Sequence, residues 1–157
     1  MEYSKILPRL YCGSCPESTG DIDALRGEIG VTAVLSLQTE EDLRYWEINW
    51  NRLAAHYQKL GIDIRRVPVQ DFSPEDLRKQ LPRCVDVLNE LLRSGHIVYV
   101  HCNAGVNRSP SVVIAYLHWI EGWDLERALV HVQACRDCDP YLEAIQLATG
   151  DARPFDP

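Results

Sequence analysis

His101-Cys102-Asn103-Ala104-Gly105-Val106-Asn107-Arg108-Ser109-Pro110 is the stretch from which the rest of the chain can be read. Ahead of it, residues 97–100 (I-V-Y-V) form a short apolar run that suits a buried strand. Behind it, residues 110–121 keep helical spacing. A loop joining a strand's carboxyl end to a helix's amino end aims several backbone N–H groups at one point, and the helix dipole adds to their field. Such a nest, here Asn103 to Asn107, suits a phosphate dianion, and Arg108 can add a planar two-pronged contact. Cys102 stands at the mouth of that field, which favours the thiolate. The combination predicts covalent phosphoryl transfer to sulfur. His101 would shape the loop from below, and the Ser109 hydroxyl would donate to the thiolate as it leaves.

Outward from the loop, strands alternate with helices. Residues 6–11 read as a short strand broken by Pro8, and residues 21–28 as a short helix ending near Gly30. Residues 31–37 (V-T-A-V-L-S-L) are nearly all apolar, as a strand covered on both faces should be. Residues 40–50 are acidic and aromatic together, then helical spacing runs through Leu53, Tyr57 and Leu60 until Gly61, and residues 63–69 return to strand. Ser73-Pro74-Glu75-Asp76 starts a helix, with Ser as cap, Pro in the first turn and acids against the dipole. That helix reaches Gly95, and Pro82 is expected to kink or split it. Residues 125–134 and a segment from Pro140 supply the last helices, and the tail from Thr149 is expected to be loose. The alternation predicts an α/β fold: a single domain over residues 1–157, core about 6–149, with a mostly parallel central sheet flanked by helices.

A chain of 157 residues, 46% hydrophobic and 25% charged, suits one globular core. No apolar run approaches the roughly 18 residues of a membrane span, and the start M-E-Y-S-K lacks a leader's basic-then-apolar pattern. The expectation is a cytoplasmic protein with no membrane partner. Sixteen basic against 23 acidic residues argue against a nucleic-acid partner, while leaving room for a small anion pocket. The six cysteines, at 12, 15, 84, 102, 135 and 138, include two C-x-x-C pairs. About 120 residues separate those pairs, where zinc ribbons keep the second pair within roughly 15–20. Free, mostly buried thiols and no metal or other cofactor are expected.

H-C-x-x-G-x-x-R-S behind a strand resembles the cysteine-dependent phosphatases of the dual-specificity type, which implies that family's fold. Further stretches resemble the plant-type starch (glucan) phosphatases and, to a lesser degree, laforin. They are Leu10 to Pro16, Leu37-Gln38 with Asp42-Leu43-Arg44-Tyr45-Trp46, Gln70-Asp71-Phe72, Asp76-Leu77-Arg78 with Leu81-Pro82, and the closing Arg136 to Ile145. The resemblance runs from about Ile6 to Thr149 and implies phosphate-monoester hydrolysis on a phosphorylated α-glucan. Asn107 departs from the glucan group, which usually has Gly before the Arg. Asn is the residue after Gly that best tolerates a left-handed backbone, so the nest is expected to survive.

Phosphatases of this type need an acid for the leaving oxygen, worth about 10²–10⁴ in rate. The resemblance draws it from a loop about 30 residues upstream, and Asp71 lies 31 residues before Cys102. Asp76 is the rival, better explained as a first-turn helix acid. Sugar rings offer flat C–H faces to aromatic side chains. Tyr45, Trp46 and Trp50 stand in a charged stretch where a core is unexpected, Phe72 follows the acid, Trp119 suits helix packing as well as sugar, and Trp123 suits packing better. By resemblance, Tyr45, Trp46, Phe72 and Trp119 would line a glucan channel. A phosphoprotein phosphatase is the alternative, and a phosphate-binding module without turnover is the third possibility.

Overall fold

The computed structural model describes residues 1–151. Its centre is strand β5 (Val98–His101), and the chain lays the other strands beside it as β1 (Tyr3–Leu7), β2 (Leu10–Gly13), β3 (Ala33–Ser36) and β4 (Asp63–Arg66). The spatial order is β1-β2-β5-β3-β4. β2 and β3 both pair parallel to β5, and β4 pairs parallel to β3. Only β1 runs antiparallel, as a hairpin partner of β2. The strand expected over residues 6–11 is therefore two strands with Pro8-Arg9 between them. Proline cannot donate to a ladder, so the chain turns there instead of continuing.

Side chains alternate across the sheet with the strand period of two. Ala33, Leu35, Val98 and Val100 face one core, while Val34 and Tyr99 face the other. Over the first face pack α4 (Pro74–Arg93), α5 (Arg108–Trp119), α6 (Leu125–Cys135) and α7 (Leu142–Gly150). The second face carries α1 (Thr19–Ile29), α2 (Glu40–Tyr45) and α3 (Trp50–Lys59). Both faces of the central strands are thus covered, which is why residues 31–37 and 97–100 read as continuous apolar runs.

The Ser73 cap behaves as its sequence suggests, its side chain accepting from the Asp76 amide. Pro82 does not split α4, which runs unbroken as 20 residues with Leu77, Leu81, Cys84, Val85 and Leu88 buried along one stripe. α7 continues through Thr149 to Gly150, so the chain is still helical where looseness was expected to begin. Asp151 accepts two bonds from Arg78 on α4, at 2.9 and 2.7 Å. The remaining tail, 152–157, lies outside the described residues. Among the described residues, no helix is long and apolar enough to cross a membrane.

Candidate active site

The carboxyl ends of the parallel strands and the amino end of α5 converge on one cleft of about 610 Å³. The junction of a βα unit is where backbone donors and a helix dipole coincide. Cys102, Asn103, Ala104, Val106, Asn107 and Arg108 line the cleft together with Asp71, Tyr45, Trp46 and Phe72.

The loop owes its shape to a segment far along the chain. Arg136, nine-tenths buried at the end of α6, donates from Nε to the Gly105 carbonyl at 2.6 Å and from Nη2 to the Ala104 carbonyl at 3.0 Å. The Asp139 amide donates to the Val106 carbonyl at 2.7 Å, and Asn107 Nδ2 donates to the Asp139 carbonyl at 2.9 Å. Three successive loop carbonyls are therefore held outward, which turns the peptide dipoles so that their N–H ends can face the cleft. Gly105 is required here: its φ is +69, and a Cβ would lie 2.5 Å from the Gly13 oxygen and 2.6 Å from Arg136 Nη2. Asn107 does not take the left-handed backbone expected of it. Its φ is −122, and Gly105 supplies the turn.

Around the sulfur, the Ser109 hydroxyl lies 3.3 Å from Cys102 Sγ. Cys12, on β2, donates its S–H to the same hydroxyl oxygen at 3.5 Å. Burial pushes the Cys12 thiol up to about 12, so it keeps its proton and leaves the Ser109 hydrogen free to point at Cys102. His101 sits beneath the loop, outside the cleft. Its ring stacks on Tyr99 at 5.8 Å, and Nδ1 bonds the Cys102 carbonyl at 3.0 Å. Burial, aided by the charge of Arg108, pushes His101 down to about 4. The neutral ring then donates from Nδ1 and pins the peptide next to the sulfur.

Arg108 is 1% exposed, and both of its terminal nitrogens have partners. Nη1 donates to Asp42 Oδ2 and to the Val69 carbonyl, both at 2.8 Å, and Nη2 lies 3.3 Å from Asp71 Oδ2. Asp71 thus reaches the cleft, while Asp76 accepts from the Gln70 amide at 2.8 Å and is occupied in bracing the loop. Sequence reasoning overlooked Asp42 and Arg136, although both stand in the quoted stretches. Asp42 reads locally as the third residue of a capping box with Thr39, and that cap is present.

Three of the four expected aromatics gather at the cleft mouth. Tyr45 and Phe72 are 79% and 85% exposed and Trp46 is 40% exposed, with Tyr45 and Trp46 edge to face at 5.6 Å. Trp119 does not join them. It ends α5, eleven residues from Arg108 and hence about 16 Å along the helix axis. There its indole donates to Thr149 Oγ1 at 2.8 Å, beside a separate groove shared with Arg9 and Glu121. Trp50 stacks under Arg66, and Trp123 packs against His131 and Arg127.

The sheet, loop and sulfur define a cysteine-phosphatase architecture, and the sequence matches "Dual specificity phosphatase, catalytic domain" over residues 10–141. The chain belongs to that family. Within it, the chain is 39% identical over 154 residues to "Phosphoglucan phosphatase DSP4, amyloplastic" of Castanea sativa, covering 96% of this chain and 40% of that protein. It is 38% identical over 146 residues to "Laforin" of Mus musculus, covering 87% and 44% respectively. The chain therefore spans less than half the length of these relatives. Among solved structures, PTPMT1 superposes with a TM-score of 0.78 at 23% identity, covering 96% of this chain and 95% of that one.

Proposed function

We propose that the chain hydrolyses phosphate monoesters on an α-glucan through a phosphocysteine. Cys102 Sγ attacks phosphorus in line, forming S–P as the P–O bond to the sugar breaks. Asp71 gives its proton to the departing oxygen. As a carboxylate it then takes a proton from water, whose oxygen attacks phosphorus and frees the sulfur with orthophosphate. Arg108 and the loop N–H groups hold the equatorial oxygens throughout, and the Ser109 hydroxyl stabilises the thiolate as it leaves. No step calls for a metal, so EDTA is expected to leave turnover intact.

The observation that carries the substrate class is the wall of Tyr45, Trp46 and Phe72 around the mouth of the phosphate nest. A small phosphate ester needs only the nest. Exposed rings beside it offer stacking faces to sugar units beyond the ester. The name borne by the chestnut relative, a phosphoglucan phosphatase, supports the same substrate.

The test compares phosphate release from solubilised amylopectin, an aryl phosphate and a phosphotyrosine peptide, with Cys102→Ser as the blank. Trp46→Ala should depress release from amylopectin at least tenfold more than from the aryl phosphate, because remote binding energy is used at the reacting centre. Unphosphorylated maltooligosaccharides should compete in the parent and fail to in the variant. If they do not bind the parent at millimolar concentration while the peptide turns over well, the substrate is phosphoprotein instead.

A further inference from the structure

Asp42 is an acid buried against the catalytic guanidinium, yet its carboxylate bonds only to side chains and the Thr39 amide on its own side of the cleft. Oδ2 accepts from Arg108 Nη1 at 2.8 Å, from the Thr39 amide at 2.9 Å and from the Thr39 hydroxyl at 3.1 Å. Oδ1 accepts from Asn103 Nδ2 at 2.8 Å, and Asn103 Oδ1 in turn accepts from Gln38 Nε2 at 2.9 Å. Burial works to raise the Asp42 pKa, but the bonds from Arg108, Thr39 and Asn103 and the charge of Arg108 outweigh it and hold the carboxyl below its usual range. A helix cap alone needs no buried ion pair.

Arginine presents five N–H bonds in a rigid plane, and a phosphate can engage either of two edges of the fork. Nη1 carries two hydrogens. One points at Asp42 and the other at the Val69 carbonyl, both at 2.8 Å. We infer that Asp42 is a positioning residue for phosphate binding: with the Val69 carbonyl it occupies both hydrogens of Arg108 Nη1, and so leaves to the substrate the Nε–Nη2 edge, beside which Asp71 Oδ2 stands 3.3 Å from Nη2. Through Asn103 the same carboxylate also fixes the first residue of the loop after the nucleophile. Since Asp42 lies in α2, one turn before Tyr45 and Trp46, a single helical turn ties the aromatic wall to the guanidinium. The inference rests on the phosphatase reading of the cleft, and not on the glucan.

Asp42→Asn leaves one acceptor oxygen where two oxygens met four donors, so either Arg108 with Thr39 or Asn103 loses its acceptor. The measurement is tungstate affinity and aryl-phosphate kinetics, with the thermal midpoint recorded with and without saturating tungstate. Expected are a roughly tenfold weaker tungstate Kd and a kcat lower by about 10²-fold, as a misplaced binding group produces. The variant should fold, and tungstate should raise its midpoint less than the parent's. Unchanged tungstate affinity and kcat in a folded variant would overturn the inference, because the carboxylate would then serve only the cap. Should Asp42→Asn not fold, Asp42→Glu keeps charge and cap while moving the carboxylate by one methylene. It should show the same losses in smaller measure, and parental values would likewise overturn the role. A parent that neither binds tungstate nor hydrolyses the aryl phosphate would sink the phosphatase reading together with this one.

Discussion

His101 takes up no second ring proton in the folded state at neutral pH, and that has a cost at lower pH. Its ordinary value of 6.5 falls to about 4 on burial, so between those values the unfolded chain binds a proton that the native chain refuses. Its contribution to stability is complete above about pH 6.5 and is lost as pH falls, by about 1.4 kcal/mol per unit. His101→Asn keeps an N–H donor for the Cys102 carbonyl and removes the titration. Urea unfolding at pH 7 and pH 5 should show the parent losing about 2 kcal/mol more than the variant. Equal losses would mean that His101 is protonated in the native protein. Asp71 offers a second check at this scale. Asp71→Asn should cost about 10²-fold on an alkyl phosphate and much less on an aryl phosphate, whose phenolate leaves unaided. Comparable losses on both substrates would assign the proton to another group.

Among the elements, the acid loop stores strain. Phe72 holds φ at +57 with its ring 85% exposed, a left-handed backbone that costs a bulky residue about 1–2 kcal/mol. Phe72→Gly relieves this, whereas Phe72→Ala keeps it. The glycine variant should be about 1 kcal/mol the more stable of the two, reversing the usual order set by chain entropy. Thermal melts of both decide it, and an alanine variant of higher midpoint would show the loop to be unstrained. Both should turn over poorly on glucan. The strain was invisible in Gln70-Asp71-Phe72 as letters, because nothing local demands a positive φ there. Local order decides what else could be read. The nest from Cys102 to Ser109 is contiguous, so its motif was legible whole. Asp42 and Arg136 meet it from 66 and 31 residues away, and nothing local in either segment points to the loop; Asp42 is already accounted for as a helix cap. Trp119 misled because an aromatic on a helix leaving the site gives no sign of how far along the axis it lies.

For the whole molecule, the alternation of strands and helices foretold the layers but not the sheet order. The order β1-β2-β5-β3-β4 puts the fifth strand in the middle. Sequential strands usually lie side by side, and here β2 and β3 stand on either side of β5 instead. A chain emerging amino end first therefore makes both halves of the sheet before the strand that joins them. Fragment 1–96 holds β1 to β4 and α4 yet lacks the keystone, so hydrogen exchange should find no slow strand amides in it. Persistent protection in β3 would show that half to be self-sufficient. The nucleophile follows the keystone strand by one residue. The loop that frames the thiol thus takes its shape in the act that completes the sheet. The order of synthesis therefore withholds the finished phosphate nest until the last strand is in place.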